Sequence, residues 1–131
     1  MNDPFTTHGA FSWAELMCDD VDRAKAFYGE LFGWTYDTLP MQDGEYHVAI
    51  CGGQKIAGIM KKPPQAADMP TMWGNYVTVL DINHTARFAE ELGATILVPP
   101  TPIPGVGIFC LFQSPSGELL SAIQYKETPE A

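Results

Sequence analysis

The chain has 131 residues, the size of one ordinary domain, and its 46% hydrophobic and 18% charged composition excludes a disordered polymer. Seven basic residues against sixteen acidic ones give a net charge of -9. Nucleic acid and anionic membranes call for the opposite sign, so neither is an expected partner.

Met1-Asn2-Asp3-Pro4-Phe5 lacks the basic and apolar parts of a signal peptide. No apolar stretch approaches the roughly 20 residues that cross a bilayer. Cys18, Cys51 and Cys110 are an odd set without a CxxC pair. They read as small buried residues in a reducing compartment, and a cytoplasmic location is expected.

Phe11 to Met17 is a strand-like run. Asp19 and Asp20 follow, and each can cap a helix by accepting backbone N–H bonds. Val21, Ala24, Phe27, Tyr28, Leu31 and Phe32 recur at helical spacing, and Gly33 supplies the stop. Three short strands are predicted over Thr35 to Leu39, Glu45 to Cys51 and Lys55 to Met60, separated by Pro40, Asp43-Gly44 and Gly52-Gly53. A proline-bearing joint follows, Lys61 to Met72.

The second half repeats the order. Asn75 to Leu80 is strand-like, Asp81 is the candidate cap, Ile82, Ala86, Ala89 and Leu92 form a helical face, and Gly93 ends it. Strands are predicted over Thr95 to Val98, Val106 to Gln113 and Glu118 to Tyr125. Between the first two lies a semi-rigid loop, Pro99 to Gly105, and before the last lies the turn Ser114-Pro115-Ser116-Gly117. Asp20 matches Asp81, Phe27 matches Phe88, Gly53 matches Gly117 and Ile59 matches Ile123. A repeat of about 60 residues in two copies reads as a duplicated βαβββ module. The chain is therefore expected to be one domain over 1–131, with module one at about 10–60, a linker at 61–73 and module two at about 74–125.

The run Asp20-Val21-Asp22-Arg23-Ala24-Lys25-Ala26-Phe27-Tyr28-Gly29-Glu30-Leu31-Phe32-Gly33-Trp34 resembles the first helix of the vicinal oxygen chelate superfamily. So does the ending Ser114-Pro115-Ser116-Gly117-Glu118-Leu119-Leu120. That superfamily contains glyoxalases, bleomycin-resistance proteins and extradiol dioxygenases. The resemblance implies an α+β fold, two βαβββ modules whose curved sheets form one cavity, and a homodimer. It also implies a divalent metal that holds two adjacent substrate oxygens and stabilises charge on them. The implied ligand positions fall on Trp13, Ala57, Asn75 and Ser121. Trp and Ala cannot bind a metal, and Asn and Ser are weak neutral donors. A slip of one residue gives Ala14, Gly58, Tyr76 and Ala122, which restores nothing. No metal and no other cofactor is therefore expected.

Strand alternation points Trp13, Glu15 and Met17 into the implied cavity, with Glu45, His47 and Ala49 and with Lys55, Ala57 and Ile59. Tyr46, Val48 and Ile50 then pack under the helix. Module symmetry adds Val77, Phe109, Leu111, Leu119, Ser121 and Ile123. Glu15 is a candidate general base, against a salt-bridged or rim carboxylate. His47 is a candidate acid, base or ligand, against a hydrogen-bonded structural histidine. Trp13, Asn75, Phe109 and Ser121 are the candidate ligand-binding residues. No glycine cluster precedes a helix in the phosphate-binding pattern. Three functional readings stay open: metal-free binding of a small organic molecule, a glyoxalase-like isomerase or lyase using Glu15 or His47, and a non-catalytic interaction domain whose cavity is filled.

Overall fold

The computed structural model describes residues 3–41 and 44–126, so Asp43 of the predicted turn lies outside the described residues. The elements are β1 (Phe11–Cys18), α1 (Val21–Phe32), β2 (Thr35–Met41), β3 (Gly44–Cys51) and β4 (Gln54–Lys61), then β5 (Met72–Thr78), α2 (Ile82–Glu91), β6 (Thr95–Ile103), β7 (Gly107–Gln113) and β8 (Leu119–Tyr125). A single 3-10 turn, Pro64–Ala66, interrupts the joint.

Two compact units divide the chain: Trp13–Gly74, and Asn75 onward together with the N-terminal residues up to Ser12. In module one the strand order is β2-β3-β4-β1, with β1 parallel to β4. In module two it is β6-β7-β8-β5, with β5 parallel to β8. Each βαβββ module thus closes on a parallel pair made by its first and last strands.

Both helices start as the sequence predicts. Asp20 accepts from the Arg23 N–H at 3.0 Å and Asp81 from the His84 N–H at 3.0 Å. Each carboxylate satisfies a backbone donor that the first helical turn leaves without an intrahelical partner. Gly33 ends α1 with φ 77°, a left-handed backbone that other residues adopt at a cost.

Under α1 lie Leu16, Cys18 and Ile59, with Val21, Ala24, Tyr28, Tyr36 and Trp73 against them. From α2, Ile82 and Ala86 pack into a cluster with Val79, Cys110 and Ala122, and Ile96, Ile108 and Phe112 lie against it. The predicted apolar face of α1 is only partly used: Phe27, Leu31 and Phe32 are each 57% exposed. Tyr28 is the member that turns inward, stacking on Trp34 and meeting Trp73 edge-on, with the Trp73 N–H donating to its hydroxyl at 3.0 Å.

Two expectations need correction. Cys51 is exposed, whereas Cys18 and Cys110 are buried; burial pushes the Cys110 thiol up to about 11. The segment from Pro99 is not a loop, because β6 continues through Pro99, Pro100 and Pro102 to Ile103. A strand bonded on one side only tolerates prolines, since half of its backbone donors have no ladder partner to lose.

Candidate functional site

Strand register decides which side chains share a face. In module one, Leu16 pairs with Ile59 beneath α1, so Ala14 and its partner Ala57 also face the helix. The opposite face presents Trp13, Glu15 and Met17 from β1 and Gly58 and Met60 from β4, with Glu15 beside Gly58. Tyr46 pairs with Met60 and Val48 with Gly58, so both join that face.

This reverses the reading of β3 and β4. His47 pairs with Ile59 and Ala49 with Ala57, which places His47 and Ala49 on the α1 side together with Ala57 and Ile59. The physical reason is that β3 is buried on both faces: Tyr46, His47, Val48 and Ala49 are exposed by only 1%, 5%, 4% and 0%. Alternation of polarity then carries no information about which side meets the helix.

The face away from α1 has one unusual feature. The Trp13 Nε1–H donates to the Tyr46 hydroxyl at 2.7 Å. The Tyr46 ring lies across Gly58, and a Cβ added at Gly58 would fall within 2.9 Å of Cε2 and closer still to Cζ and Oη. Tyr46 and Glu15 are each 1% exposed, while Trp13 is half-buried. Burial therefore falls from Glu15 and Tyr46 to Trp13 along this face. Sequence reasoning missed Tyr46 and Gly58. The available signal was a lone glycine inside a strand, which marks a close approach.

His47 belongs to a different setting. Its Nδ1 lies 3.0 Å from the Thr38 hydroxyl on β2, and its Nε2 lies 3.7 Å from the exposed Glu45 carboxylate. Burial lowers its pKa from 6.5, and Lys25 adds to this, while Glu45 and Asp22 pull the other way. Burial outweighs the Glu45 contact because that carboxylate is 64% exposed and screened by water. The ring is therefore neutral in the fold at pH 7. A histidine whose folded pKa is lowered contributes stability that is present above about 6.5 and lost as pH falls through the folded value. Urea midpoints of the wild-type chain are expected to fall between pH 7.5 and pH 5 by more than those of His47→Gln. Equal falls would show that His47 does not titrate in this way.

In module two the expected facing of β7 and β8 holds. Phe109 pairs with Ile123 and Leu111 with Ser121, on the side opposite Cys110 and Ala122. On β5 the parity is the reverse of the expectation. Tyr76 pairs with Ser121 and Thr78 with Ile123, while Val77 pairs with Ala122 on the helix side. Asn75 shares the Val77 parity and is exposed, so it does not join Ser121 and Phe109. Tyr76 stands there instead, 1% exposed and tilted against Phe109 at 5.9 Å. Thr78 is tied down, donating its hydroxyl to the Pro4 carbonyl at 2.7 Å.

Among the described residues no group of three or more His, Cys, Asp and Glu side chains converges as a metal site would require. No described helix is long and apolar enough to cross a membrane.

The family model for the Glyoxalase/Bleomycin resistance protein/Dioxygenase superfamily matches residues 10–121. The chain belongs to this superfamily. Among curated proteins, this glyoxalase-superfamily chain is similar to "Putative glyoxylase CFP32" of Mycobacterium tuberculosis, 32% identical over 112 residues, which cover 83% of this chain and 43% of that protein. It is also similar to "Anthracycline biosynthesis protein DauV" of Streptomyces sp. strain C5, 26% identical over 122 residues, covering 83% and 44%. The chain thus spans less than half the length of these relatives.

Among solved structures, methylmalonyl-CoA epimerase from Mycobacterium tuberculosis superimposes with a TM-score of 0.64 at 12% identity, over 93% of this chain and 92% of that one. A Legionella pneumophila structure described as an NAD-dependent benzaldehyde dehydrogenase gives 0.55 at 14% identity, over 87% and 98%. At such identities the likeness establishes the glyoxalase-superfamily fold and nothing about activity.

Proposed function

We propose that this glyoxalase-superfamily chain binds a small, partly aromatic organic molecule on the module-one face around Trp13, and does so without a divalent ion. The observation that carries the reading is the seat of Tyr46 on Gly58. The superfamily resemblance calls for a liganding side chain on the fourth strand. Here the residue beside Glu15 on that strand is a glycine, and a phenol already occupies the space a side chain would need.

Glu15 is then the one carboxylate that β1, β3 and β4 contribute to this face. One carboxylate with the Tyr46 hydroxyl is a poor set for a divalent ion, so the residues of this face do not fit the superfamily metal. An indole beside apolar side chains, with a few polar groups, suits an organic ligand held by shape.

Glu15 supports a second reading, general-base catalysis, because it is a buried carboxylate on the same face as Trp13.

The test is a thermal melt of the purified, tag-free chain with divalent ions, with chelator and with a panel of small aromatic compounds. Ions and chelator are expected to leave the melting temperature unchanged. A panel compound at about 100 times its Kd adds about 2.7 kcal/mol of stability, a rise of several degrees. A melt that an ion raises and chelator lowers would overturn the metal-free reading, and a panel without any binder would overturn binding itself. Conversion of a bound compound to product would favour the catalytic reading.

A further inference from the structure

We infer that the cleft beside the N-terminal half of α1 is a further binding site, for a small aromatic carboxylate: the ligand's ring lies against Phe27, Tyr28 and Trp73, and its carboxylate meets the Arg23 guanidinium. The cleft is on the helix side of module one. It shares no residue with the Trp13 face and does not depend on what that face binds.

The cleft has a volume of about 490 Å³, within the range of small-molecule pockets. Buried Leu16 and Cys18 line it from β1, and Met72 and Trp73 line it from β5. Its aromatic side is a corner of three rings. Phe27 meets Tyr28 edge-on at 5.0 Å, and Tyr28 meets Trp73 edge-on at 5.4 Å. The one N–H of Trp73 is spent on the Tyr28 hydroxyl, so what the indole adds to the cleft is apolar ring surface. Phe27 is 57% exposed and has area left to cover with a ligand.

Charge selects among aromatic ligands. Asp19, Asp20 and Arg23 are the charged residues that line the cleft. Asp19 is paired with Lys62 at 3.2 Å, and Asp20 caps α1 by accepting the Arg23 backbone N–H at 3.0 Å. Both carboxylates are therefore engaged. The Arg23 guanidinium has no ion-pair partner among the described residues. A planar fork of N–H donors beside an aromatic wall is complementary to a carboxylate borne on a ring.

The repeat shows that this arrangement is particular to module one. In the register that matches Asp20 to Asp81, Arg23 falls on His84, Phe27 on Phe88 and Tyr28 on Ala89. His84 stacks on Phe88 at 5.7 Å, so α2 uses that pair on itself, and Ala89 supplies no ring. Module one keeps the three rings together and leaves its cation unpaired.

The experiment uses the whole chain labelled with 5-fluorotryptophan and three naphthalene probes that differ in charge: 2-naphthoate, 2-naphthalenemethanol and 2-naphthylmethylammonium. The Trp73 fluorine signal is identified by its loss in Trp73→Phe, and the Trp13 signal by its loss in Trp13→Phe. 2-Naphthoate is expected to move the Trp73 signal with a Kd of ~1 mM, ordinary for a ligand of its size. The alcohol is expected to bind more weakly, and the ammonium most weakly. Arg23→Gln is expected to lower 2-naphthoate affinity about fivefold, the upper end for an ion pair open to water, and alcohol affinity by less than about twofold. Phe27→Ala is expected to weaken all three probes by about threefold or more. Both side chains are exposed, so each variant is expected to melt close to wild type.

A Trp73 signal that no probe moves overturns the site, whatever the Trp13 signal does. A Trp13 signal that no aromatic compound moves counts against the Trp13 reading alone. Equal affinity for the three probes overturns the ligand class, and so does an Arg23→Gln chain that binds 2-naphthoate as well as wild type. One measurement needs no variant. Raising the salt from about 0.01 M to about 1 M shortens the reach of charge about tenfold, and is expected to weaken 2-naphthoate relative to the alcohol; a parallel response of the two overturns the inference.

Discussion

Gly58→Ala is expected to destabilise the chain by about 3 kcal/mol, at the top of the range for overpacking a core, and to lower the melting temperature by roughly 10 °C. The new methyl would stand inside the Tyr46 ring, closest to Oη and Cζ. Neither neighbour can give way cheaply, because Tyr46 is held between β2 and β4, opposite Leu39 and Met60. Displacing the phenol also breaks the 2.7 Å bond from Trp13. Tyr46→Phe in the same chain should recover little, since the ring carbons still collide, whereas Tyr46→Ala should recover part of the loss by vacating the space. Melts of the single and double variants check this. A Gly58→Ala chain as stable as wild type would mean that the phenol sits elsewhere, and the metal-free reading would lose its main support.

Phe109→Ala is expected to cost about 3–5 kcal/mol, the range for emptying a fully buried aromatic site. Phe109 is 0% exposed, lies opposite Ile123 on β8 and Thr101 on β6, and leans on Tyr76. The sequence reading makes Phe109 a ligand contact. At 0% exposure the ring also has the burial of a core residue. Urea unfolding distinguishes the two roles. A large fall in midpoint at constant slope marks a core residue. A loss below about 1 kcal/mol would mean that the ring fronts open space, and its ligand role would return.

The order of elements was legible because it is written in local chemistry. Asp20, Gly33 and Asp81 mark helix ends through their own hydrogen bonds and backbone freedom, and these act whatever surrounds them. The repeat was legible for the same reason, since the capping and turn residues recur with it. Facing was legible only where one side of a strand differs from the other. On β1 and β8 the parity held for Trp13, Glu15, Ser121 and Ile123. On β3, β4 and β5 both sides are buried in part, and His47, Ala57 and Asn75 came out on the wrong side. The Tyr46–Gly58 contact joins residues from adjacent strands. It depends on pairing register, which no single segment contains.

The prolines of β2 and β6 have a consequence beyond the modules themselves. Among the described residues, Pro40 lies in β2, which bonds only to β3, and Pro99, Pro100 and Pro102 lie in β6, which bonds only to β7. Between Val98 and Thr101 the register of β6 also shifts. A fibril or a donated strand grows by copying an unbroken ladder of backbone donors and acceptors. Proline has no N–H to copy, and a shifted register breaks the spacing a second chain would have to match. These two margins are therefore poor templates for aggregation, and crowding should drive other copies to meet this chain through side chains, not through shared sheet.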